Sequence, residues 1–60
     1  MRFEYLVEIT DEEGFTLERF VTDREKDAMK VFKEYKEKVE EILERLPSLY
    51  LQVVLTLKPE

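Results

Sequence analysis

The sequence predicts an α+β fold: a two-layer sandwich in ββαβ order, with a three-stranded sheet covered on one face by one long helix. Three observations carry this. Apolar residues recur at helical spacing over 23–46: Ala28, Phe32, Tyr35, Val39, Ile42 and Leu46 follow one another at steps of four, three, four, three and four, and Met29, Val31 and Leu43 widen the stripe. Two-residue alternation marks 2–10, 15–22 and 49–58 as strands. The single glycine, Gly14, lies between the first two of these.

In 2–10, Phe3, Tyr5, Val7 and Ile9 share one face and Arg2, Glu4, Leu6, Glu8 and Thr10 the other. Asp11-Glu12-Glu13-Gly14 follows; Asp suits the first position of a type I turn, and Gly14 stands where a positive φ would close it with a bulge. That turn predicts a hairpin in which paired residues sum to 26. Ile9 then faces Leu17, Tyr5 faces Val21, Thr10 faces Thr16 and Leu6 faces Phe20. The same register sets Glu8 opposite Glu18, a like-charge pair, and turns Arg19 inward, where an edge position would let its head reach water.

Thr22-Asp23-Arg24-Glu25 has capping-box spacing, so the helix is expected to open at residue 23 with the Thr22 hydroxyl on the Glu25 N–H. Over roughly 24 residues it would be about 36 Å long. Its polar face carries Lys30/Glu34, Glu34/Lys38, Lys36/Glu40 and Glu41/Arg45 at i,i+4, each worth only about 0.3–0.5 kcal/mol. Pro47 ends it at 45 or 46. In 49–58, Leu49, Leu51, Val53, Leu55 and Leu57 form one face, and Pro59-Glu60 stops the strand. Strand order 2-1-3, wholly antiparallel, is preferred over 1-2-3 because it places the first strand centrally and Arg19 on an edge.

Sixty residues make one domain, 1–60, and chains this short bury only about 60% of their unfolded surface. The absence of cysteine and histidine removes disulfides, thiolate sites, the commonest metal ligand and the usual general base. A net charge of −5 argues against nucleic-acid and anionic-membrane binding. No apolar run approaches a membrane span, and Met1-Arg2 leads into a strand, so no targeting signal is expected and the location read is cytoplasmic. Glu37, Glu40, Glu41 and Glu44 form a carboxylate ladder that reads as a solvated face rather than a cation site. Glu8 and Glu18 lack a cleft for glycosidase chemistry, and Ser48 has no histidine to activate it. An acidic helix that mimics nucleic-acid phosphates is a further reading, although Lys26, Lys30, Lys33, Lys36 and Lys38 interrupt its field. No catalytic residue, cofactor, metal or small-molecule ligand is expected.

The residues left over are Leu6, Phe20, Tyr50 and Val54, which the predicted register turns away from the helix. They are the candidate interface, for a second copy of the chain or another partner. The third strand, LYLQVVLTL, adds a long apolar edge without interior charge.

Across its whole length the chain resembles the de novo designed α/β mini-proteins of ββαβ topology. The resemblance rests on the Asp11–Gly14 turn, the Thr22–Glu25 box, the Glu/Lys helix face, Pro47 as a stop, and the lack of Cys, His and Trp. It implies a structural scaffold with no catalytic role. Inward Arg19, outward Leu6 and Phe20, and the like-charge pairs depart from that style and point to a dimeric design or a small phage or prokaryotic protein.

Overall fold

The computed structural model describes residues 2–59; Met1 and Glu60, the latter read as part of the strand stop, lie outside them. Four elements follow in the predicted order: β1 (Phe3–Asp11), β2 (Thr16–Thr22), α1 (Glu25–Arg45) and β3 (Leu51–Pro59). The sheet is antiparallel with order β2-β1-β3, so β1 is central and β2 and β3 are edges.

The turn forms as the sequence predicts. Gly14 has φ +88°, and its N–H donates to the Asp11 carbonyl at 3.1 Å. The Asp11 carboxylate accepts from the Glu13 and Phe15 N–H groups at 3.0 and 2.9 Å, so one side chain fixes the whole loop. Thr10 pairs with Thr16, as the turn dictates.

Beyond that pair the predicted register fails. A bulge in β2 inserts Leu17 between Thr16, opposite Thr10, and Glu18, opposite Ile9. From there pairs sum to 27: Glu8 faces Arg19, Val7 faces Phe20, Leu6 faces Val21 and Tyr5 faces Thr22. One extra residue exchanges the two faces of the strand. Phe20 and Glu18 turn to the helix side, while Arg19 and Val21 turn away from it.

The exchange removes the like-charge pair, the inward arginine and the outward phenylalanine of the continuous register, while Leu6 stays on the outer face. Glu8 no longer opposes Glu18 but lies across from Arg19, and its carboxylate accepts from the Thr16 hydroxyl at 2.9 Å. Arg19 leaves the inner face. Thr10 Oγ1 is the one buried polar side-chain atom without a partner among the described residues.

The helix starts two residues later than predicted. Thr22 stays in β2 opposite Tyr5, and its hydroxyl accepts from the Arg24 N–H at 3.1 Å instead of capping Glu25. Arg24 takes the N-cap position with extended backbone and no side-chain cap, while Glu25 and Asp27 meet the positive end of the helix dipole. At the other end the Leu46 N–H closes on the Ile42 carbonyl at 2.9 Å, one residue before Pro47.

The predicted i,i+4 pairs on the helix are replaced. Among the described residues the one ion pair within 4 Å is Lys38–Glu18 at 2.8 Å, which straps the helix to β2. Lys36 instead lies over the Phe32 ring, 5.2 Å from its centre. Long, flexible side chains on an exposed helix gain little by pairing along its own surface, because water screens the charges and ordering costs entropy.

The core is small. Val7, Ile9, Ala28, Val39 and Leu51 are buried between the layers, and Ile9, Val39 and Leu51 form its centre, packed by Tyr35, Ile42, Leu43 and Val53. Leu6 is buried on the opposite face by its strand neighbours, between Val21 and Thr56.

Candidate interaction surface

The four residues proposed from sequence do not come together. Leu6 is 5% exposed and offers almost nothing to a partner. Phe20 is half-buried on the helix side, opposite Val7. Val54 is half-buried on the open face, opposite Glu8. Tyr50 is exposed in the loop before β3, where its hydroxyl donates to Gln52 Oε1 at 3.1 Å.

The open sheet face that was expected to be apolar is instead mixed. Val21, Leu6 and Thr56 make one row across it, Arg19, Glu8 and Val54 the next, and Glu4 pairs with Lys58. Such a face is ordinary for an antiparallel sheet with one side in water.

Exposed apolar residues lie on several elements, among them Phe15, Leu17 and Val21 at β2 and Leu46 and Leu49 after the helix; one group adjoins β3 on the helix side. Phe3, Leu55 and Leu57 share that face through the pairs Phe3/Pro59, Val7/Leu55 and Tyr5/Leu57. Their exposures are 40%, 37% and 52%. The helix leaves them open because it lies obliquely over the sheet. It enters beside the end of β2 at Thr22, and its last turns pack on Leu51 at the start of β3. The far end of β3 is therefore uncovered.

The two flanks of the helix differ. Lys38 points to β2, where Glu18 holds it. Met29 is nine residues earlier, about half a revolution round the helix, and so faces the β3 side. It is 50% exposed. The sequence carried a signal for this surface: β3 lacks charge from Leu51 to Leu57, and every odd residue in that stretch is Leu or Val. Periodicity alone did not reveal that the helix would cover only half of that face.

Chemistry elsewhere is sparse. Two open depressions of about 230 and 370 Å³ lie on the surface, one lined by Lys38, Glu41, Ile42 and Arg45, the other by the turn residues Asp11–Glu13 and Ser48–Tyr50. No group of three or more carboxylates converges closely enough to hold a metal ion among the described residues. Tyr35 has a displaced titration. Burial pushes its phenol up from 10.0, the Glu18 and Glu34 carboxylates push the same way, and Lys38 opposes them. No described helix is long and apolar enough to cross a membrane.

No family model, no curated protein and no solved structure matches the chain.

Proposed function

We propose that this chain is a structural mini-protein in the style of the de novo designed α/β scaffolds, without catalytic chemistry, and that its one working surface is the open edge of β3. The observation that carries the reading is the strip of Phe3, Leu55 and Leu57, which are 37–52% exposed on the helix side of the sheet at an unbulged nine-residue edge. Single exposed apolar residues are ordinary, but a contiguous row along a strand edge marks contact. The exposed Phe15, Leu17 and Val21 lie instead at the bulged β2 edge, where Glu18 and Arg19 interrupt them.

Residues that serve a contact can be changed without loss of the fold. The double variant Leu55→Lys/Leu57→Lys tests this. In dilute solution its circular dichroism and its Tm are expected to stay within about 5 °C of the parent, while its retention on a hydrophobic matrix falls. A loss of the cooperative transition would place both leucines in the core and overturn the reading.

A further inference from the structure

We infer that the occupant of the β3 edge is a second copy of the same chain, paired strand to strand about a two-fold axis at Leu55. This rests on the reading of that edge as the working surface. The edge presents unpaired main-chain N–H and C=O groups along Leu51–Pro59, and these need a strand as partner.

Symmetry then restricts the arrangement. Two identical edges close into a dimer only about an axis normal to the sheet. Such an axis makes the strands antiparallel and sets residues opposite one another with an even sum. Opposed residues then point to the same face, so both helices stand on one side of a continuous six-stranded sheet. The two apolar strips face each other across the axis.

An axis at Leu55 is the centre of the strand and pairs all nine residues. Leu55 meets Leu55 of the second copy, Val53 meets Leu57, Val54 meets Thr56, Gln52 meets Lys58 and Leu51 meets Pro59. No charge faces a like charge in this register. Pro59, which lacks an N–H, falls at the last position, where an edge strand tolerates it.

Charge favours the same surface. The net charge is −5, yet β3 contains no acidic residue. Thirteen of the fifteen acidic residues lie on the turn, on the helix and on β1 and β2; Asp23 precedes the helix and Glu60 follows β3 in the sequence. Repulsion between copies is weakest where the β3 strands meet. Pairing of all nine residues engages about 30 Å of strand on each copy.

The chain has no cysteine, so a single introduced thiol reports only contacts between copies. Leu55→Cys is expected to form a disulfide-linked dimer under mild oxidation at least about ten-fold faster than Glu40→Cys on the helix, because pairing holds its two thiols at millimolar or higher effective concentration. Light scattering of the parent is expected to show twice the chain mass at high concentration. Leu55→Lys sets two ammonium groups face to face and is expected to be monomeric with unchanged circular dichroism.

A parent that stays monomeric to about 1 mM would overturn the second copy. So would a dimer in which Leu55→Cys crosslinks no faster than Glu40→Cys, or an open series of larger assemblies. Each of these leaves the fold of the Leu55→Lys/Leu57→Lys variant unaffected, so failure here is distinct from failure of the interaction-surface reading.

Discussion

The two edges of the sheet are built in opposite ways. β2 has seven residues, a bulge at Leu17, and Glu18 and Arg19 directly after it. A bulge bends an edge and interrupts its row of pairing groups, and charged residues resist a second strand. Lys38 adds a strap from the helix at the same place. β3 has nine residues, pairs with β1 without interruption, and carries no charge before Lys58. One edge is closed to further pairing and the other is open, so the sheet can grow in one direction only. A molecule with two open edges would form fibres; one with a single open edge stops at two copies.

The contrast can be broken at β3 first, where the largest effect is expected. β3 is anchored at its start and bare at its end. Leu51 is 9% exposed and belongs to the core centre, whereas Leu17 on β2 is 56% exposed. Leu51→Ala is expected to cost about 2–4 kcal/mol, read as a fall in denaturation midpoint with an unchanged m-value. Leu17→Ala is expected to change stability by no more than about 0.5 kcal/mol. Equal costs at the two positions would show that the bulge residue is packed and that the β2 edge is held by apolar contact.

A smaller effect tests the strap. The Lys38 and Glu18 side chains are 52% and 39% exposed, so water screens their attraction. A double-mutant cycle with Lys38→Met and Glu18→Gln is expected to return a coupling of about 0.2–1 kcal/mol that shrinks in high salt.

The smallest effect is a pH dependence at the same place. The Tyr35 phenol titrates above 10.0 in the folded chain, from burial first and then from Glu18. The folded state therefore holds this proton more tightly than the unfolded state does. The stability it contributes is fully present below the unfolded value of about 10 and is lost as pH rises through the folded value. Tyr35→Phe is expected to leave stability near neutral pH little changed and to flatten its decline above about pH 10, measured by denaturant midpoints across that range. An unaltered alkaline slope would remove Tyr35 from the linkage.

Most of the fold was legible in the sequence, and the part that was not has a definite cause. Element order, strand order and the turn at Gly14 follow from periodicity and from one glycine, signals with strong physical roots. The register of β2 does not, because a bulge within a strand needs no special residue: Leu17 is an ordinary strand former. Yet Glu8 against Glu18, Arg19 inside and Phe20 outside were three faults with one remedy. Moving residues 18–22 by one position cures all three, while Leu6 stays outward against Val21. For the same reason the candidate surface was half legible. The β3 edge is visible as an uncharged strand, whereas the patch of Leu6, Phe20, Tyr50 and Val54 depended on a register that the bulge displaced. The open strip beside β3 depends on the oblique lie of the helix, which a helical wheel cannot supply.

The small core has a thermal consequence. Unfolding sixty residues is expected to raise the heat capacity by only about 0.8 kcal/mol/K, with an enthalpy of about 40 kcal/mol near the midpoint. Among the described residues six apolar side chains are buried, so the increment lies toward the lower side of such values. A small enthalpy spreads the melting transition over a wide interval, and a small heat capacity flattens the stability curve. The isolated chain is thus expected to lose structure gradually on heating and to resist cold. Covering the β3 strip removes further apolar surface from water, so association should carry a negative heat-capacity change and turn that shallow curve into a steeper one.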